Sequence, residues 1–326
     1  MGFVDQDLTD QWAIYCGDAM EMMQALPDSS IHAAIYSPPF GGLYHYSSDD
    51  RDLSNARDYA EFFDQYDYFV KELHRLIIPG RVIAVHASLV PSGNTGLDSL
   101  TDFPGDVIRA HQRRGWAFVA RHVIWKEPLW VRNRTMAKNL AHRQVTEDAA
   151  KVNLAIPDEL LIFRKPGEHV APITHPNGLT GEYAGEEQHP HELARWRGWD
   201  GDQKQNRWSH WIWRRYASSV WDDVRMTRTL PFQPDPEDDD AEKHVHPLQL
   251  DVIERFVDLR TMPGERVLTP FMGVGSEVYT AVKMGRYGIG AELKPSYYRQ
   301  AVANMHSLDV AEVESVEDVA LFEEAQ

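Results

Sequence analysis

The chain has 326 residues, 43% of them hydrophobic and 25% charged, and a formal net charge of −17. That length holds one large α/β domain with an insertion, or two modest domains, and the composition is ordinary for a globular protein in water. No run of about 18 apolar residues exists, which excludes a membrane-spanning helix, and the single cysteine, Cys16, excludes an internal disulfide.

The first ten residues are acidic and lack the basic start and apolar core of a secretory signal, so a cytoplasmic location is expected. Residues 31–36 are an apolar run that follows the turn residues Pro27-Asp28-Ser29-Ser30 and is stopped by Pro38-Pro39, which predicts a buried strand ending in a loop. Over 58–76 apolar and aromatic residues recur at helical spacing (Tyr59, Phe62, Phe63, Tyr66, Phe69, Val70, Leu73), and Pro79-Gly80 closes the predicted helix. Residues 81–86 are the next strand. A helix begins at Pro104-Gly105-Asp106 and reaches Arg114, and residues 118–125 and 159–163 are two further strands.

Periodicity fails from 166 to 240, where Gly, Pro, His, Trp and charge are frequent, so an irregular insertion or small subdomain is expected. The acidic run at 235–242 reads as a solvated loop. Alternation then resumes with a helix at 247–260, a strand at 266–268, a helix at 276–284, a strand at 287–293 and a helix at 296–306. The chain therefore divides into a first half at 1–165, an inserted region at 166–242, a second half at 243–307 and an acidic tail at 308–326. Strand–helix alternation on both sides of the insertion predicts an α/β fold with one doubly wound, mostly parallel sheet split in sequence. Ligands on such sheets bind at the carboxyl ends of strands.

Two motifs fall at such ends. The first, residues 266–276, is a strand, a glycine loop and a helix start. Gly273 and Gly275 let the backbone approach a ligand closely, and the following helix offers unpaired N–H groups. Glu292 ends the next strand, 17 residues after Gly275, where a carboxylate can accept hydrogen bonds from both hydroxyls of a ribose. Val278 stands where a third glycine would complete a dinucleotide fingerprint, which favours a cofactor without a pyrophosphate. The plain alternatives are a tight turn and a surface carboxylate.

The second motif is Ser37-Pro38-Pro39-Phe40, which by itself would be a proline-rich turn. It resembles motif IV of the DNA amino-methyltransferases (Asp/Asn/Ser-Pro-Pro-aromatic). Thr269-Pro270-Phe271-Met272-Gly273-Val274-Gly275 resembles their motif I, with Thr269 in place of the usual Asp. His246-Pro247-Leu248-Gln249 resembles motif X, with Leu250-Asp251 where a Lys-Pro pair is common. The segment from Gly17-Asp18 to Ser30 resembles the lead-in to their catalytic strand. The catalytic motif precedes the cofactor motif, which is the circularly permuted β-group order, and within that group the chain looks most like orphan methylases of bacteriophages and their hosts. The resemblance covers residues 12–165 and 243–307.

The resemblance implies a Rossmann-like methyltransferase fold, S-adenosyl-L-methionine as cofactor and double-stranded DNA as partner. It implies no metal and no membrane, admits a homodimer and leaves open a partner nuclease. Asp18, His246, Thr269, Phe271, Gly273, Gly275 and Glu292 are its cofactor-binding candidates; for Asp18, capping the helix that follows is an equal alternative. Ser37, Pro38, Pro39 and Phe40 are its catalytic candidates. An exocyclic amine conjugated into a base is a poor nucleophile. Acceptance of its two N–H bonds by Ser37 Oγ and the Pro38 carbonyl would turn its lone pair outwards, and prolines keep such acceptors pre-positioned. Phe40 would stack on a base rotated out of the duplex, worth about 1–3 kcal/mol against an unstacking cost of a few kcal/mol.

Charge maps the DNA-facing parts. Residues 107–231 hold 20 Lys/Arg against 14 Asp/Glu, while the remainder holds 13 against 36, so a basic middle sits in an acidic chain. Within 195–221 lie six of the ten tryptophans, interleaved with Arg195, Arg197, Arg207, Arg214 and Arg215. This is where the β-group carries its target-recognition region, and the arginines are the DNA candidates, whereas the tryptophans read as a small core. A second basic stretch, with Arg132 and Arg134, is either a DNA contact or a solvated helix face. The expected reaction is site-specific methylation of an exocyclic amine in duplex DNA. The serine tilts the target towards cytosine N4, with adenine N6 as the alternative. Remoter readings are an RNA or protein-glutamine methyltransferase, against which the motif order argues, and an inactive DNA-binding decoy.

Overall fold

Residues 31–36 form the expected strand, and it lies near the middle of a nine-stranded sheet. The computed structural model describes residues 2–39, 52–91, 99–135, 140–168, 171–181, 191–232 and 247–308. The first part supplies β1 (Asp5–Leu8), β2 (Trp12–Cys16), α1 (Ala19–Ala25), β3 (Ile31–Tyr36), α2 (Tyr59–Leu76) and β4 (Ile77–Ser88). A short side ladder of β5 (Val90–Pro91) and β6 (Leu100–Thr101) follows, then α3 (Phe103–Arg113), β7 (Ala117–Ile124), α4 (Pro128–Thr135), α5 (His142–Glu147) and β8 (Asp158–Arg164). The rest supplies α6 (Arg207–Tyr216), β9 (Val220–Trp221), α7 (Leu250–Arg260), β10 (Arg266–Thr269), α8 (Ser276–Lys283), β11 (Tyr287–Glu292) and α9 (Pro295–His306). Among the described residues no helix is long and apolar enough to cross a membrane.

The strand order is β1-β2-β11-β10-β3-β4-β8-β7-β9. Five of its eight pairings are parallel; β1–β2, β4–β8 and β8–β7 are antiparallel. Strand alternation splits the core between the two faces. Ala34, Tyr36, Ile83, Val85, Leu161 and Phe163 point to one side, where α2 brings Phe62, Tyr66, Phe69 and Leu73. Ala33, Ile35, Val82, Ala84, Leu160 and Ile162 point to the other, where α7 brings Val252, Ile253, Phe256 and Val257. Each large apolar side chain fully buried in this way contributes about 1.5–3 kcal/mol, so the apolar runs select the sheet interior.

Two expectations need correction. Pro79-Gly80 does not separate helix from strand: β4 starts at Ile77, directly after α2, and carries both residues inside it. Ile77 already pairs with Ile31, and the register then slips so that Ala33 pairs with Val82; Gly80, at φ +80°, absorbs that irregularity. Nor is 166–240 irregular throughout. Trp208, Ile212 and Tyr216, four apart, form the buried face of α6, and Val220–Trp221 adds β9 to the main sheet beside β7. The acidic run at 235–242 and residues 309–326 lie outside the described residues.

The direction of each strand decides where the site can be. β2, β3, β4, β7, β10 and β11 all end at one edge of the sheet, and β8, running the other way, begins there. That edge gathers Gly17-Asp18, Ser37, His86, Lys126, Thr269 with its glycine loop, Glu292 and Asp158.

Candidate active site

Ser37 and Pro38 follow the last residue of β3, and β3 pairs in parallel with β10, whose end carries the glycine loop. The two motifs, more than two hundred residues apart in sequence, therefore open side by side. Phe271 bridges them: its ring centroid lies 4.9 Å from that of Phe69 and 5.9 Å from that of Tyr36. Phe40 and His246 lie outside the described residues, as does the side chain of Arg134.

The glycine loop is held open by its backbone. Gly273 has φ +53° and Gly275 φ +92°, values that an L side chain resists, and a Cβ on Gly273 would meet nothing within 4 Å. The Gly273 N–H donates to Glu292 Oε2 (2.8 Å), and the Lys294 N–H donates to Oε1 (2.8 Å). Burial, with help from Asp52, nevertheless raises the Glu292 carboxyl to about 7. Thr269 Oγ1 and Ser276 Oγ are buried and have no hydrogen-bond partner among the described residues. An open loop, two unmet hydroxyls and the buried Glu292 carboxyl fit a polar, positively charged nucleoside such as S-adenosylmethionine. Asp18 is the N-cap of α1, its Oδ1 accepting from the Met20 N–H at 2.6 Å, and the Gly17 N–H ties β2 to the Glu292 carbonyl at 2.9 Å.

Three residues without a motif of their own complete the edge. Ser37 Oγ is hydrogen-bonded to His86 Nδ1 at 3.0 Å. His86 Nε2 lies 3.2 Å from Asp158 Oδ2, close but off the line of a hydrogen bond, and Lys126 Nζ donates to Asp158 Oδ1 at 2.5 Å. Burial alone would raise the Asp158 carboxyl; His86 and Lys126 outweigh it and hold the group well below the usual carboxylate range. No motif in the sequence marks this cluster; the β3–β4 and β4–β8 pairings bring it together.

The basic insertion uses its aromatics as a support. Arg195 and Arg207 lie over the ring of Trp196 at 5.4 and 5.6 Å, Arg197 over Trp208 at 5.6 Å and Arg214 over Trp211 at 5.7 Å. Trp208 and Trp221 are buried, which agrees with tryptophans as core, while Trp213 is exposed. Arg215 differs from its neighbours, pairing with Asp223 (2.9 Å) and Asp222 (3.4 Å). Arg132 donates to Asn133 Oδ1 on α4. A layered stack fastens the region to the sheet. The Arg255 guanidinium lies over Trp221 (5.0 Å) and Tyr216 (5.4 Å) and donates to Asp223 (2.8 Å), while His122 stacks on Trp221 at 4.3 Å.

Residues 31–303 match a family model described as DNA methylase. The type II methyltransferase M.BglII of Bacillus subtilis is 25% identical over 294 residues, which is 87% of this chain and 66% of that relative, so the chain spans about two thirds of its length. A DNA modification methylase of Thermus thermophilus, TTHA0409, solved with S-adenosyl-L-methionine, superposes with a TM-score of 0.57 at 20% identity, over 90% of this chain and 95% of that one. The PvuII DNA methyltransferase, cytosine-N4-specific, superposes with a TM-score of 0.57 at 14% identity, over 95% of this chain and 92% of that one.

Proposed function

Since the chain belongs to the DNA methylase family, we propose that it moves a methyl group from S-adenosylmethionine to the exocyclic amine of a base in double-stranded DNA, with cytosine N4 as the target. The observation that carries this reading is the parallel pairing of β3 with β10, which sets the Ser37-Pro38 acceptors beside the glycine loop. The cofactor supplies an electrophilic methyl on a sulfonium. The chain's own residues do the rest. Glu292 and the N–H groups around Gly273 hold the nucleoside, Thr269 and Ser276 meet its polar groups, and Ser37 Oγ with the Pro38 carbonyl accept from the amine.

A base inside a duplex cannot reach that edge, so the target is rotated out of the stack. The exposed Arg195, Arg197, Arg207 and Arg214, splayed over tryptophan rings, would hold the flanking phosphates, and residues 166–242 are assigned as the recognition region. Serine, rather than a carboxylate, as the side-chain acceptor favours cytosine N4.

The test is nucleoside analysis by mass spectrometry of DNA from cells expressing the chain. N4-methylcytosine is the expected product. N6-methyladenine alone would overturn the choice of base, and no methylated base at all would overturn the enzyme reading.

A further inference from the structure

We infer that His86 is the proton acceptor behind Ser37, positioned by Asp158 and Lys126, so that the serine hydroxyl passes on the proton that the methylated amine must lose. The inference rests on the methyltransferase reading above and adds to it the route by which the proton leaves.

The geometry comes from three strands. Ser37 follows β3, His86 lies near the end of β4, and Tyr36 pairs with Val85, so the two side chains are next neighbours across a parallel pair. Ser37 Oγ sits 3.0 Å from His86 Nδ1. Antiparallel β8 brings Asp158 to the same edge, 3.2 Å from His86 Nε2, and Lys126, just beyond β7, fixes the other Asp158 oxygen at 2.5 Å. The next residue of β8, Glu159, lies on the opposite face by strand alternation and pairs with Arg121 at 3.3 Å. Among the described residues, the charged groups brought to the imidazole are the Asp158 carboxylate and, behind it, the Lys126 ammonium.

A lone serine hydroxyl is a weak base, and it can take a proton only if it gives one up. The amine nitrogen forms its bond to the methyl carbon while the carbon–sulfur bond breaks and leaves its electron pair on sulfur. The nitrogen's N–H proton passes to Ser37 Oγ as the Oγ–H proton passes to His86 Nδ1. The products are the methylated amine, a neutral thioether, an unchanged serine and an imidazolium facing the Asp158 carboxylate. A neutral His86 protonated at Nε2 suits this step, because Nδ1 is then the free acceptor towards the hydroxyl. The arrangement has the logic of a nucleophile–base–orienter triad, used here to remove a proton rather than to make a covalent bond.

The experiment is single-turnover methylation of duplex DNA by the full chain across pH 5–9, for the wild type, His86→Gln and Asp158→Asn. Circular dichroism and calorimetry with S-adenosylmethionine verify that each variant folds and binds. The wild type is expected to lose rate towards acid, where a proton acceptor behind the serine would already be filled. His86→Gln is expected to fall on the order of 100-fold and lose that acid limb. Asp158→Asn is expected to move the limb to lower pH, since it removes the carboxylate that favours the imidazolium. A His86→Gln enzyme within about threefold of wild type, or a slower one that keeps the acid limb, overturns the inference. If that variant does not fold, the limb in Asp158→Asn decides, and an unmoved limb overturns it. A wild type that methylates nothing overturns the underlying reading instead, so the two failures are distinguishable.

Discussion

The Gly273 N–H donates to Glu292 Oε2 at 2.8 Å, which ties the glycine loop after β10 to the carboxyl end of β11. The same carboxylate is the acceptor expected for ribose hydroxyls, and burial holds it at about 7. Ionised carboxylates accept hydroxyl bonds more strongly than neutral ones, so S-adenosylmethionine affinity should rise as pH passes through about 7 and level off above it. Binding should release a proton, read by calorimetry in buffers of different ionisation enthalpy. Glu292→Ala should weaken binding about 100-fold, and a variant that binds like wild type would remove Glu292 from the cofactor site.

Glu277, buried in the first turn of α8, gives a pH dependence of stability. Burial raises its carboxyl to about 8, so the folded chain holds a proton that the unfolded chain has lost above its ordinary value of 4.5. Stability from this group is therefore present at low pH and falls as pH rises from about 4.5 through about 8. Glu277→Gln should leave the melting temperature at pH 5 nearly unchanged and raise it by several degrees at pH 9, a gain on the order of a few kcal/mol. Equal melting curves at pH 9 would count against a buried, proton-bearing Glu277.

Arg255 is 1% exposed and held by one carboxylate and two aromatic faces. Removing Asp223 leaves a buried cation beside Trp221, so Asp223→Ala should cost about 3–5 kcal/mol in chemical denaturation. Arg255→Met, which removes the charge and keeps the volume, should cost clearly less than Asp223→Ala. The reverse ranking would show that the charge, not the stack, fastens the insertion.

The insertion's arginines separate in a salt titration of DNA binding followed by fluorescence anisotropy. Arg207→Ala and Arg214→Ala should each weaken binding and reduce the slope of log K against log salt by about one. Arg215→Ala should lower the melting temperature instead, because that side chain is bound to Asp222 and Asp223. An unchanged slope for both Arg207→Ala and Arg214→Ala would move the DNA interface elsewhere.

Long apolar periodicity made most of the fold legible. The strand at 31–36, the helix from 59 and the strands and helices after 250 stand where spacing put them, because each buries a face large enough to dominate its local choice. β1 and β2 were missed, although Trp12–Cys16 is fully buried, because Asp and Gln flank it and it is only five residues long. α6 was missed because Trp208, Ile212 and Tyr216 are set among arginines, a histidine and further tryptophans that hide the four-residue period. In the site, Ser37 and the glycine loop carried their own motifs. His86, Lys126 and Asp158 did not, since what unites them is strand direction at one sheet edge, and no spacing along the chain encodes that.

The strand order also says something about how the chain is made. β2 and β3 are early in sequence, yet β11 and β10 lie between them, so the first 165 residues leave an opening across the sheet. A ribosome delivers the missing strands last, and until then β2 and β3 each show a bare edge. The buried pair of Arg81 with Glu265, 184 positions apart, forms only when that opening closes. The sheet can therefore close only once synthesis has passed residue 292, and until then the facing edges of β2 and β3 are open to pairing with other chains.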